Sequence, residues 1–133
     1  MRCLSGLISR EKAQALVEMA LVLPVLLLFF TGICEFGKIM GSYIMLSNLA
    51  REGARFGVVG HNDWEIKNRI YEQIGWLDKD NMDINIYPSP AERNSGDRLK
   101  VEIDYKSHLM TPVFASILPD PVLLTAECSM RME

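Results

Sequence analysis

Charged and apolar positions segregate sharply along this chain. From Met19 to Cys34 no residue is charged, and counting back to Ala13 gives 22 positions with Glu18 as the only charge. A helix that crosses a bilayer needs about 20 mostly apolar residues, so the stretch predicts a transmembrane helix over 14–35. Past it, Ile39, Tyr43, Leu46, Ala50 and Gly53 or Ala54 recur at spacings of three and four. That spacing extends the helix through 36–60 with one apolar face. The segment from Gly57 to Asn62 carries two glycines and predicts the helix end. Asn62-Asp63-Trp64-Glu65 then has the form of a capping box, and Ile66, Ile70, Ile74 and Leu77 make the stripe of a short amphipathic helix stopped at Gly75.

The pattern then changes to period two. Met82-Asp83-Ile84-Asn85-Ile86-Tyr87 alternates and stops at Pro88. Leu99, Val101, Ile103 and Tyr105 alternate with Lys100, Glu102, Asp104 and Lys106; Leu124, Ala126, Cys128, Met130 and Met132 alternate with polar or charged neighbours. Each of these strands has one apolar face, which predicts an antiparallel sheet packed on one side and wet on the other. A domain this small has a marginal core of its own, so the sheet needs the long helix as its other half. The expected fold class is α+β: a long N-terminal transmembrane helix packed on a short helix and a three-stranded antiparallel sheet. Between strands two and three, the proline-punctuated loop with Val113, Phe114, Ile117 and Leu118 could cover the sheet, lie on the membrane surface or meet a partner. Cover for the sheet is the expectation.

Charge sets the orientation. Arg2, Arg10 and Lys12 precede the span, so by the positive-inside rule the N-terminus is cytoplasmic and the C-terminal part exported. A net charge of −3 and a pI near 5.4 argue against a nucleic-acid partner. A secretory signal peptide fits poorly, because the apolar run is long, contains Glu18 and ends without a small-x-small site. A lipoprotein fits worse, since Ile33 stands directly before Cys34. The three cysteines, Cys3, Cys34 and Cys128, lie in three different regions and do not form a disulfide framework. Pro24 removes one backbone hydrogen bond inside the span and predicts a mild kink. Gly37-x-x-x-Gly41 and Gly53-x-x-x-Gly57 put small residues on common helix faces and permit close approach. Arg51, Glu52 and Arg55 form a charged turn with an i, i+3 pair, and Asp78, Asp80 and Asp83 read as a solvated turn. No catalytic constellation is legible: His61 and His108 are not at metal-ligand spacing, and no nucleophile elbow, phosphate loop or zinc motif occurs. No enzyme activity, cofactor, metal or small-molecule substrate is expected.

Two stretches carry a resemblance. Glu11-Lys12-Ala13-Gln14-Ala15-Leu16-Val17-Glu18, followed by Leu21-Val22-Leu23-Pro24, resembles the start of TadE-like pseudopilins, minor subunits of the tight-adherence (Flp, type IVc) pilus machinery. Cys34-Glu35-Phe36-Gly37 continues it, and Asn48-Leu49-Ala50-Arg51-Glu52-Gly53-Ala54-Arg55-Phe56-Gly57 is its most specific part. The resemblance covers residues 11–57 closely. It implies a pilin-like fold and cleavage by a prepilin peptidase between Ala13 and Gln14, with Glu18 as the fifth mature residue and an assembly determinant. Ala13 stands where the family usually has Gly. It also implies a packing or partner role for Arg51, Glu52 and Arg55, beside the close helix packing that small-residue spacing suggests at Gly37, Gly41 and Gly53, and it implies pilus or pseudopilin subunits and an assembly platform as partners.

The expected organisation is a cytoplasmic leader over 1–13 that is removed, a span over 14–35, a helical extension over 36–60 and an exported α+β domain over 61–133. The expected function is structural, in pilus biogenesis and surface adhesion, at the cytoplasmic membrane or in the pilus. The other reading is an uncleaved single-span protein whose exported domain binds another envelope component.

Overall fold

A computed structural model describes residues 2–132, with side chains from residue 12 onward. The basic leader side chains Arg2 and Arg10, together with Cys3 and the terminal Glu133, lie outside what is described. Helix α1 runs Arg2–Gly57, α2 runs Asp63–Glu72 and a short α3 runs Pro112–Ala115. Strands β1 (Met82–Tyr87), β2 (Arg98–Ser107) and β3 (Val122–Arg131) form one sheet in the order β1-β2-β3. Both pairings are antiparallel, with Ile84 opposite Ile103 and Ile103 opposite Ala126. The fold is α+β, as the patterning predicts. The chain divides into two units at Phe36 and Gly37, inside α1.

In the second unit, the C-terminal third of α1 supplies Leu46, Leu49, Ala50 and Ala54 to the core. Ile66 and Ile70 of α2, Ile84 of β1, and Leu99, Val101 and Ile103 of β2 complete it. The helices therefore cover the apolar face of the sheet. On the opposite face Glu102 and Glu127 stand directly across from each other, and the Lys100 ammonium lies 2.8 and 2.7 Å from their carboxylates. Hydrogen bonds to Glu102 and then Glu127 hold the Lys100 pKa above the usual lysine range.

The capping box forms as read. The Glu65 N–H donates to Asn62 Oδ1 at 3.0 Å, and the Asn62 N–H donates to Glu65 Oε2 at 3.0 Å. Two free N–H groups at the start of α2 are thereby satisfied. The helix stops earlier than its stripe suggests. It ends at Glu72, and Ile74 and Leu77 are buried from the turn that follows. Gly75 belongs to that turn, with φ +63° and with Met45 packed where a Cβ would stand. Both conditions call for glycine.

Two expectations about faces are corrected. Tyr43 is exposed and Ser42 is fully buried, so the packed face of α1 runs Ser42, Leu46, Leu49 and Ala50. The loop between β2 and β3 does not cover the sheet. Val113, Ile117 and Leu118 are exposed, because α1 and α2 already occupy the apolar face.

Candidate functional site

In the first unit, the apolar side chains of α1 from Leu16 to Phe30 are exposed. The helix is long and apolar enough to cross a membrane, and its most apolar window has none of its residues buried by the protein itself. Such a surface needs lipid or a partner to cover it. Pro24 lies within α1, which continues through it. Glu18 is exposed, and its Oε1 accepts from Gln14 Nε2 at 3.3 Å. Cys34 is an exposed free thiol and Cys128 a half-buried one.

The segment Asn48–Gly57 divides by face. Leu49, Ala50, Gly53, Ala54 and Gly57 point into the core. A Cβ on Gly53 would come within 2.7 Å of Ile70 Cδ1, and one on Gly57 would overlap Leu99 and come within 2.8 Å of Ile66 Cδ1. The small residues therefore let α1 lie close to both α2 and β2. Arg51 and Arg55 point outward, Arg55 with 73 % of its side chain exposed. Glu52 lies between these faces. Its carboxylate pairs with Arg55 at 3.2 Å, and also lies 3.9 Å from Arg69 of α2, which is 3.7 Å from Glu72. The predicted i, i+3 pair is thus one link of a chain of charges across two helices. Arg69 also stands over the Phe56 ring at 6.0 Å, and Phe56 stacks on His61 with ring centroids 3.6 Å apart.

The other glycine pair behaves differently. At Gly37 nothing lies within 4 Å of the place a Cβ would take, and at Gly41 only the Trp76 ring does, at 3.6 Å. These two positions make no helix-to-helix seam within the chain. Gly37 faces open space, and Gly41 is covered in part by Trp76.

Sequence reading missed three contributors. Trp76, beside Gly41, belongs to no periodic pattern. Arg69 sits on the polar side of α2, and its link to Glu52 depends on how two helices pack. Arg93 is largely buried, paired with Asp63 and donating to the Pro88 carbonyl at 3.0 Å. No short-range signal could place Arg93 beside a residue thirty positions away. A cleft of about 410 Å³ is lined by Gly57–Asn62, Pro90, Arg93–Ser95 and Met132. Its one guanidinium is already engaged by Asp63. Among the described residues, no three of His, Cys, Asp or Glu group as metal ligands.

The first unit is thus an exposed apolar helical stretch, and the second is a domain whose core includes the end of α1. A family model described as TadE-like protein matches residues 13–55. The match starts at the expected cleavage position and ends two residues before α1 does. It makes this segment TadE-like. No curated protein and no solved structure matches the chain.

Proposed function

Starting from that TadE-like segment, we propose that the chain is a minor pilin, or pseudopilin, of a tight-adherence (type IVc) pilus system. It acts structurally, in pilus assembly and in the adhesion that depends on it. Residues 14–35 cross the cytoplasmic membrane, with the N-terminus inside and the domain beyond Gly37 exported. A prepilin peptidase removes residues 1–13, and other pilus subunits and the assembly platform are the partners. The observation that carries this reading is the match over 13–55, which takes in the apolar anchor, Glu18 and the small-residue face by which α1 enters the exported core. Exposure of the whole apolar surface from Leu16 to Phe30 supports the anchor.

Intact-mass measurement on protein from its own host tests the processing step. Loss of residues 1–13 is expected. A full-length mass in a peptidase-competent cell would overturn it and favour an uncleaved anchor. A reporter active only outside the cytoplasm, fused after Glu133, tests the orientation. Activity is expected, and silence there with activity of a cytoplasmic reporter would reverse the topology.

A further inference from the structure

We propose that the exported unit touches the membrane a second time, through the loop between β2 and β3 together with Trp76. The proposal rests on the reading that residues 14–35 cross the membrane.

Two separate segments meet the first turns of α1 in this unit. Lys38 Nζ donates to the His108 carbonyl at 2.6 Å, which fixes the start of the β2–β3 loop beside residue 38. Trp76 comes from the turn after α2, and its ring lies against Gly41. Lys38 is four residues past Cys34, where the apolar run ends. Four residues reach at most about 14 Å even when fully extended, so chain connectivity alone keeps the His108 end of the loop near the bilayer surface.

What the loop presents there is apolar. Met110 is 78 % exposed and Ile117 74 %, with Val113 and Leu118 about half exposed. From Leu109 to Pro119 no side chain is charged. The loop's carboxylate, Asp120, is turned back on its base, accepting from the Leu109 N–H at 3.3 Å and facing His108 Nδ1 at 3.5 Å. Trp76 is 59 % exposed. Tryptophan favours the headgroup level, where its ring is half in apolar surroundings and its N–H remains wet. Lysine suits the same level, because its stem lies along apolar surface while the ammonium stays in water. An uncharged apolar loop, a tryptophan and a lysine, gathered where the chain leaves the span, have the composition of a lipid-facing contact. A surface built to dock a protein in one register would carry more polar groups at its rim.

Tryptophan quenching in liposomes tests this on the full chain. The two native tryptophans are Trp64 and Trp76, so Trp64→Phe leaves Trp76 as the reporter, and Trp76→Phe leaves Trp64. In the doubly substituted background, Ile117→Trp reports on the loop and Phe29→Trp on the span. All four sites are exposed, and far-UV circular dichroism checks that the fold is kept. With phosphatidylcholine brominated near the headgroup, Trp76 and Ile117→Trp should lose most of their emission while Trp64 keeps its own. With deep-brominated lipid, Phe29→Trp should be quenched. Quenching at Phe29→Trp without quenching at 117 or at 76 would overturn this contact and leave the anchor standing. An unquenched Phe29→Trp would overturn the anchor itself, and the second contact with it. Blue-shifted but unquenched emission at 117, rising with the protein-to-lipid ratio, would mean that the loop docks on a second copy instead.

Discussion

The Gln14 side-chain amide donates to the Glu18 carboxylate, 3.3 Å away and one helical turn further along α1. A carboxylate in an apolar helix is costly without a partner, and in the uncleaved chain this neutral amide is the partner provided. Cleavage before Gln14 would add a far stronger one, an α-amino group carried on the same residue.

Glu18 should therefore matter for assembly more than for insertion. If its partner is the α-amino group of a neighbouring subunit, the two charges relieve each other only in the correct axial stagger. Such a pair selects register more than it adds net stability. Glu18→Ala and Glu18→Gln are expected to insert and to be cleaved normally, but not to co-purify with the pilus machinery. Wild-type recovery of both variants would reduce Glu18 to a residue that merely reaches the headgroups.

Gly57→Ala is expected to destabilise the second unit by about 1–3 kcal/mol, the usual cost of overpacking a filled core. Its Cβ would meet Leu99 and Ile66. Gly37→Ala meets nothing within 4 Å and should be neutral or slightly favourable, since alanine is the better helix former. Denaturant titration in detergent compares them. Equal stability of the two variants would contradict the packing described for the end of α1.

Arg51 and Arg55 separate stability from partner contact. Both are exposed, so Arg51→Ala and Arg55→Ala should change stability by no more than about 0.5 kcal/mol. Recovery of the pilus machinery with the double variant is expected to fall. Unchanged recovery would leave these arginines as a solvated face.

Lys100→Met removes the cation between Glu102 and Glu127, which oppose each other across β2 and β3. Like charges directly opposite on a sheet repel. The thermal midpoint should fall at low ionic strength and recover partly in high salt, because these groups reach solvent and are screened. The sign with pH follows from the raised pKa of Lys100. Its contribution is complete below the pKa of the unfolded chain and is lost only as pH rises through the folded value. The variant should therefore differ from wild type across the neutral range, and the difference should shrink in strong alkali. A midpoint independent of both substitution and salt would show that Lys100 does nothing for the sheet.

Much of the fold was legible because its signals are local. The alternation of Leu99, Val101, Ile103 and Tyr105 defines β2 whatever surrounds it, and Asn62 with Glu65 makes a cap within four residues. What failed to show depends on distant neighbours. Apolar spacing picks Tyr43 for the buried face, yet the helix is turned so that Ser42 is buried and Tyr43 exposed. Ile74 and Leu77 keep helical spacing after the helix has ended, since burial constrains where a side chain points and not how the backbone brings it there. Around the proposed site, Glu18 and the small residues of Asn48–Gly57 stand out in sequence. Trp76 beside Gly41 and Arg69 beside Glu52 do not, because packing of separate segments creates those contacts.

The burial of Leu46, Leu49, Ala50 and Ala54 on one helix also has a mechanical side. A pull on the N-terminal end of the second unit acts along α1, whose buried face is part of that unit's core. To yield, the helix must slide past Ile66, Ile70 and Val101 together, a shearing motion in which many contacts carry load at once. A strand peeled from an edge gives way pair by pair and at lower force. A domain held by its helix in this way is expected to keep its fold under tension until the helix comes free in a single step.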